Sequence, residues 1–156
     1  MIEEAGRKHP VHQPARERFN TPIIVFVTIC TKNRKSILAD MEAQAILRDA
    51  WKAADAWLVG RYVIMPDHLH LFCAPEELVA EPLTRWMNFW KSFSARRWPR
   101  REDSPVWQRH FWDTQLRRGE SYDQKWDYVV GNPIRAGLAS QVEDWPYQGE
   151  LNVLRW

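Results

Sequence analysis

The chain has 156 residues, of which 45% are hydrophobic and 27% charged; these proportions exclude a disordered protein and allow a hydrophobic core without disulfides. Its only cysteines, Cys30 and Cys73, each fall in an apolar run, which argues against a disulfide framework. A reducing, cytoplasmic compartment is expected, since no apolar run reaches membrane-spanning length and the polar amino terminus does not read as a signal peptide. The net charge of +2 does not announce a nucleic-acid binder, so the distribution of charge carries more weight than its sum.

Residues 1–20 are polar, contain Pro10 and Pro14, and read as a flexible arm; His9 and His12 belong to it and are given no role. Residues 21–156 read as one domain. Residues 23–31 are rich in β-branched and aromatic side chains and predict a strand, followed by a basic cluster of Lys32, Arg34 and Lys35. Asp40 is placed to cap a helix in which Ala43, Ile46, Leu47, Ala50, Trp51 and Ala54 recur at amphipathic spacing. Residues 57–65 and 69–73 predict a strand pair joined near Pro66 and Asp67. A second helix starts around Pro82, with Leu83, Trp86, Met87 and Trp90 on one face. Lys91, Arg96, Arg97, Arg100 and Arg101 then crowd one stretch, interleaved with Phe93 and Trp98. Residues 106–116 predict a fourth strand of poor alternation, with Arg109, Arg117 and Arg118 in or just after it. A further helix spans 121–130, and the last segment wraps the surface.

The order strand, helix, two strands, helix, strand is the ferredoxin-like split arrangement, an α+β fold whose antiparallel sheet has helices on one face, here with an additional C-terminal helix. That fold also hosts many RNA-binding modules and does not itself decide function. The ten tryptophans are core residues by default, although exposed ones can stack on unpaired bases.

His68 and His70 stand two apart in an apolar run, and residues i and i+2 of a strand share a face. Two neutral imidazoles side by side can clamp a divalent cation; in isolation such a pair is more often two ordinary histidines on a half-buried strand. Tyr128 and Asn132 are four residues apart, on one helical face if the last turn reaches Asn132, and Pro133 is expected to end the helix there. A tyrosine followed one turn later by an amide oxygen can supply a nucleophile and a third ligand. Taken alone, it is a core tyrosine before an Asn-Pro stop.

The three segments MPDHLHLF (65–72), WQRHFWDTQL (107–116) and DYVVGNPIRAGL (127–138) together resemble the single-tyrosine HUH transposases, and most of all their REP-associated tyrosine transposase branch. The resemblance runs from about Phe26 to Trp145 and departs mainly at Val130 and Gly131, where the family more often carries polar residues. It implies that His68, His70 and Asn132 bind a divalent metal, Mg²⁺ or Mn²⁺, although on ligand softness two imidazoles suit Mn²⁺ or even Zn²⁺ better. It further implies that Tyr128 attacks single-stranded DNA to form a 5′-phosphotyrosine link and release a 3′-hydroxyl, on hairpins of the repetitive extragenic palindrome type. Lys91, Arg96, Arg97, Arg100, Arg101, Arg117 and Arg118 are the candidate DNA contacts. No general base is evident: Asp127 diverges from Tyr128 by about 100° on a helix, and Asp67 reads first as a turn residue and second as a contact to His68. Tyr122 is a rival nucleophile without the Asn-Pro context, and His110 reads as a surface residue. The alternatives are an insertion-sequence transposase mobilising its own element, a catalytically silent hairpin-binding module, and a ferredoxin-like RNA binder. Monomer and homodimer are both open.

Overall fold

A computed structural model describes residues 23–77, 81–116 and 121–155; the arm 1–20 and the candidates Arg117 and Arg118 lie outside the described residues. The elements are β1 (Val25–Cys30), α1 (Met41–Ala53), β2 (Trp57–Ile64), β3 (His68–Pro75), α2 (Leu83–Arg96), β4 (Trp112–Gln115), α3 (Tyr122–Val129), α4 (Asn132–Arg135) and β5 (Gln148–Glu150). All strand pairs are antiparallel, in the order β4-β1-β3-β2-β5. The first four strands have the ferredoxin-like order, and β5 is added at the edge beside β2.

Alternation assigns the two faces. Val25, Val27 and Ile29 of β1 and Leu69, Leu71 and Cys73 of β3 join one buried cluster with Leu47, Trp51, Trp86 and Trp90 of α1 and α2. Ile24 and Phe72 belong instead to a second cluster with Tyr122 and Val129 of α3 and with Trp145 and Leu154 of the C-terminal segment. The sheet therefore has α1 and α2 on one side and α3 on the other, and His68 and His70, which alternate with Leu69 and Leu71, face the α3 side.

Local chemistry explains the element boundaries. The Asp40 carboxylate accepts from the Ala43 N–H at 2.7 Å and starts α1; the Ser121 hydroxyl accepts from the Gln124 N–H at 3.1 Å and starts α3. In β2 the register slips between Val59 and Tyr62, so Gly60 and Arg61 together oppose Phe72. This bulge keeps Tyr62 and Ile64 on the α1/α2 side, in phase with Val59.

Several expectations are corrected. The fourth strand is only Trp112–Gln115 long; upstream, Trp107 makes a lone bridge to Thr31. β5, read as a surface wrap, pairs with Arg61–Val63. Pro133 does not end the helical path: α3 stops at Val129, Val130 and Gly131 keep right-handed helical angles, and α4 opens at Asn132 with Pro133 in its first turn, where a missing N–H costs nothing. No described tryptophan is exposed, and Trp57, Trp86 and Trp145 donate their indole N–H to the carbonyls of Glu81, Ala54 and Ile64. Among the described residues the exposed aromatics are Phe89 and Tyr128. Among the described residues, no helix is long and apolar enough to cross a membrane.

Candidate active site

His70 sits at the centre of the sheet, opposite Thr28 of β1. It is 3% exposed, stacks on Phe26 at 5.3 Å between ring centres, and shares a 2.7 Å hydrogen bond between its Nδ1 and the Thr28 hydroxyl. Its Nε2 is buried without a partner. Burial, and then the neighbouring His68, push its pKa well below the ordinary histidine value, so the ring is neutral at pH 7.

His68 lies beside it, the two rings 5.0 Å apart and nearly perpendicular. Its Nδ1 donates to Asp67 Oδ1 at 2.8 Å, and Asp67 Oδ2 accepts from Arg34 Nε at 3.1 Å. Burial lowers the His68 pKa, against the opposing pull of Asp67. Burial also works against the charge on Asp67, but the bonds from His68 and Arg34 outweigh it and hold this carboxyl below its ordinary value. A carboxylate can only accept, so the His68 proton sits on Nδ1 and Nε2 keeps its lone pair.

Tyr128 is 60% exposed on the last turn of α3, and Asn132 is buried at the start of α4. Arg135 ties them together: its guanidinium lies 4.0 Å from the Tyr128 ring centre, and one of its terminal nitrogens donates both to the Tyr128 carbonyl and to Asn132 Oδ1. A cleft of about 360 Å³ is lined by Arg34, Met65, His68, Tyr128, Asn132, Arg135 and Ala136. His68, Tyr128 and Asn132 thus share one cleft, with the His70 ring packed against that of His68.

Among the described residues no group of three or more His, Cys, Asp or Glu is gathered as a metal cluster; two imidazoles and an amide oxygen make a sparser donor set. That set fits a divalent ion in one respect: each histidine is anchored through Nδ1, and the buried Nε2 of His70 has no other use in the fold.

Tyr122, by contrast, is built into the scaffold. It is 6% exposed, its hydroxyl accepts the Arg61 N–H at 2.9 Å in the β2 bulge, and burial pushes its pKa up to about 12, both unsuited to a nucleophile. The basic candidates divide. Lys91 is buried, with its ammonium donating to the carbonyls of Gln108 and Arg109 at 2.8 and 3.1 Å and its pKa drawn down to about 8 by burial; it is a structural residue and leaves the set of phosphate contacts. Arg100 is engaged by Asp103 at 2.8 Å and Asp40 at 3.4 Å. Arg96, Arg97 and Arg101 are exposed, with Arg97 stacked 3.7 Å over Phe93. Sequence reasoning passed over Thr28 and Arg135. The first is visible only through strand register. The second falls three residues after Asn132 and becomes its neighbour only because α4 continues past Pro133.

Residues 21–126 match the family described as Transposase IS200 like. The chain belongs to that family. The match stops two residues short of Tyr128, so family membership covers the histidine strand and leaves the α3–α4 turn to the geometry above. Within the family, the REP-associated tyrosine transposase of Escherichia coli (strain K12) is 29% identical over 125 residues, covering 78% of this chain and 73% of that one. A relative from Haemophilus influenzae, whose own assignment as a REP-associated tyrosine transposase is provisional, is 31% identical over 147 residues, 85% of this chain and 82% of its own. A solved REP-associated tyrosine transposase bound to a REP hairpin superposes with a TM-score of 0.69 at 24% identity, over 88% of this chain and 82% of that one; at that identity the likeness establishes the shared α+β fold. Membership of this transposase family makes the chain a DNA-processing enzyme of the transposase type.

Proposed function

We propose that this transposase-family protein cleaves and rejoins single-stranded hairpin DNA by transesterification at Tyr128. The observation that carries this reading is the cleft in which Tyr128, Asn132 and His68 meet, with His70, whose Nε2 is unpartnered, against His68. In the step, Tyr128 Oη forms a bond to phosphorus and the bond to the 3′-oxygen breaks. The 3′-oxygen takes up a proton, the phenolic proton passes to solvent, and the DNA is left attached through its 5′-phosphate. The new phosphotyrosine ester conserves the phosphodiester's energy, so a 3′-hydroxyl attacking it reverses the reaction and rejoins strands.

His68, His70 and Asn132 would hold a divalent ion, Mg²⁺ or Mn²⁺. When bound, that ion supplies Lewis-acid stabilisation of charge on a non-bridging phosphate oxygen. The protein's own contribution is orientation. Thr28 and Asp67 fix the imidazoles through Nδ1, and α3 and α4 present the phenol and the amide on adjacent turns.

Hairpins of the repetitive extragenic palindrome type are the proposed substrate, consistent with the REP hairpin held by the solved relative. Arg96, Arg97 and Arg101 are proposed phosphate contacts. The segment carrying Arg100 and Arg101 is tied to the segment after β1 by Lys35, which donates to the carbonyls of Asp103 and Pro105, and by Arg100 reaching the Ile37 carbonyl. The test incubates wild type and Tyr128→Phe with labelled hairpin DNAs in Mn²⁺, Mg²⁺ or chelator and looks for a covalent adduct on a denaturing gel. An adduct requiring both metal and Tyr128 supports the reading; tight binding with no adduct on any hairpin would instead indicate a silent binding module.

A further inference from the structure

The cleft is lined by two guanidinium groups and no carboxylate; one bonds Asp67 and the other Asn132, each through a single nitrogen. Arg34 stands on the histidine wall. Its backbone and that of Asn33 are both left-handed, with φ of 54° and 59°, a conformation uncommon for a non-glycine residue and found where the surroundings impose it. The turn is held by the Arg34 N–H donating to the Thr31 carbonyl at 3.1 Å, while the Thr31 N–H donates to the Asp67 carbonyl at 3.0 Å. The result sets Arg34 beside Asp67, which takes only its Nε. The side chain remains 47% exposed, and among the described residues its outer nitrogens have no hydrogen-bond partner.

Arg135 stands on the tyrosine wall, stacked on Tyr128 and bonded through one nitrogen only. Gly131 leaves it room: a Cβ there would lie 2.9 Å from the other terminal nitrogen of Arg135 and would push that end of the side chain aside. Gly131 itself has φ −82°, open to any residue, so what this glycine provides is space beside the guanidinium rather than backbone freedom.

We infer that Arg34 and Arg135 form a two-sided guanidinium clamp for the scissile phosphodiester, one arm on each wall of the cleft, with Gly131 keeping room for the second arm. Guanidinium suits this task because it presents paired N–H donors to phosphate oxygens and cannot lose its charge. Arg135 also orients Tyr128, placing the attacking ring and the phosphate against one group. The inference rests on the transesterase reading and deepens it.

The test measures single-turnover adduct formation on a hairpin that the wild type links, at limiting and at saturating DNA. Arg34→Gln and Arg135→Gln should each slow the step at saturating DNA on the order of tenfold, as expected for loss of a hydrogen bond to a charged group, and Arg→Lys at either position should recover part of the rate. Gly131→Ala should slow it as well while leaving the melting temperature unchanged or raised, since alanine fits this backbone. Wild-type rates at saturating DNA in both glutamine variants would overturn the clamp, and so would losses that saturating DNA fully restores, which mark general surface attraction. A wild type that links no hairpin would instead fell the transesterase reading itself, and the clamp with it.

Discussion

Replacing Tyr122 by Phe separates the scaffold tyrosine from the reacting one. The ring stays packed 4.9 Å from Phe72, with the Arg61 guanidinium 4.7 Å above its centre, and phenylalanine keeps both contacts. What disappears is the hydroxyl that accepts the Arg61 N–H at 2.9 Å in the β2 bulge. A buried donor left without its partner costs about 1–3 kcal/mol. The bulge lies near the sheet edge beside β5, where partial solvation lowers the expected loss to about 1–2 kcal/mol. For a chain of this length that corresponds to a fall in Tm of roughly 2–8 °C. Urea unfolding should show a lower midpoint with an unchanged slope, while adduct formation at 25 °C stays at the wild-type level. An unchanged midpoint would refute the capping role of the hydroxyl. A folded variant that no longer links DNA would move the nucleophile from Tyr128 to Tyr122.

Gly60→Ala should destabilise by about 1–3 kcal/mol, because a Cβ there would lie 2.6 Å from both Leu154 Cδ1 and the Tyr122 hydroxyl; thermal melts check this. His68 and His70 both have folded pKa values below 6.5, so below pH 6.5 the unfolded chain binds more protons than the folded one. The metal-free protein should therefore hold its full stability above pH 6.5 and lose it as the pH falls further, with a flatter profile in His68→Asn/His70→Asn when urea midpoints are compared at pH 5 and 7.5. Mn²⁺ at a hundredfold excess over its Kd should stabilise the wild type by about 2.7 kcal/mol and leave the double variant unmoved; equal stabilisation of both would remove the histidines from the metal site.

The parts of this structure legible in the sequence are those encoded by periodicity. Leu69, Leu71 and Cys73 alternate with His68, His70 and Phe72, which fixes the histidines to one face of β3, and the spacing of Leu47 with Trp51, or of Trp86 with Trp90, marks the helix faces beneath the sheet. What alternation does not encode was missed. The bulge at Gly60 and Arg61 is capped by a hydroxyl from Tyr122, 61 residues after Arg61 in the chain, and β5 is a three-residue strand whose partners Arg61–Val63 are not local. Lys91 falls within a basic run, yet its position beside Trp90 on α2 carries it inward to two backbone carbonyls. Asn-Pro reads locally as a stop; only the continued helical angles at Val130 and Gly131 turn it into the start of α4 and bring Arg135 under Tyr128.

Transesterification differs from hydrolysis in the covalent bond it leaves between DNA and Tyr128. Its most direct measurement is proteolysis and nuclease trimming of the protein after incubation with hairpin DNA and Mn²⁺, followed by mass spectrometry of the peptide spanning α3. Transesterification leaves a nucleotide attached through its 5′-phosphate to Tyr128, with a free 3′-hydroxyl on the released strand. Cleavage that leaves every tyrosine unmodified and a free 5′-phosphate in solution would show hydrolysis and contradict it.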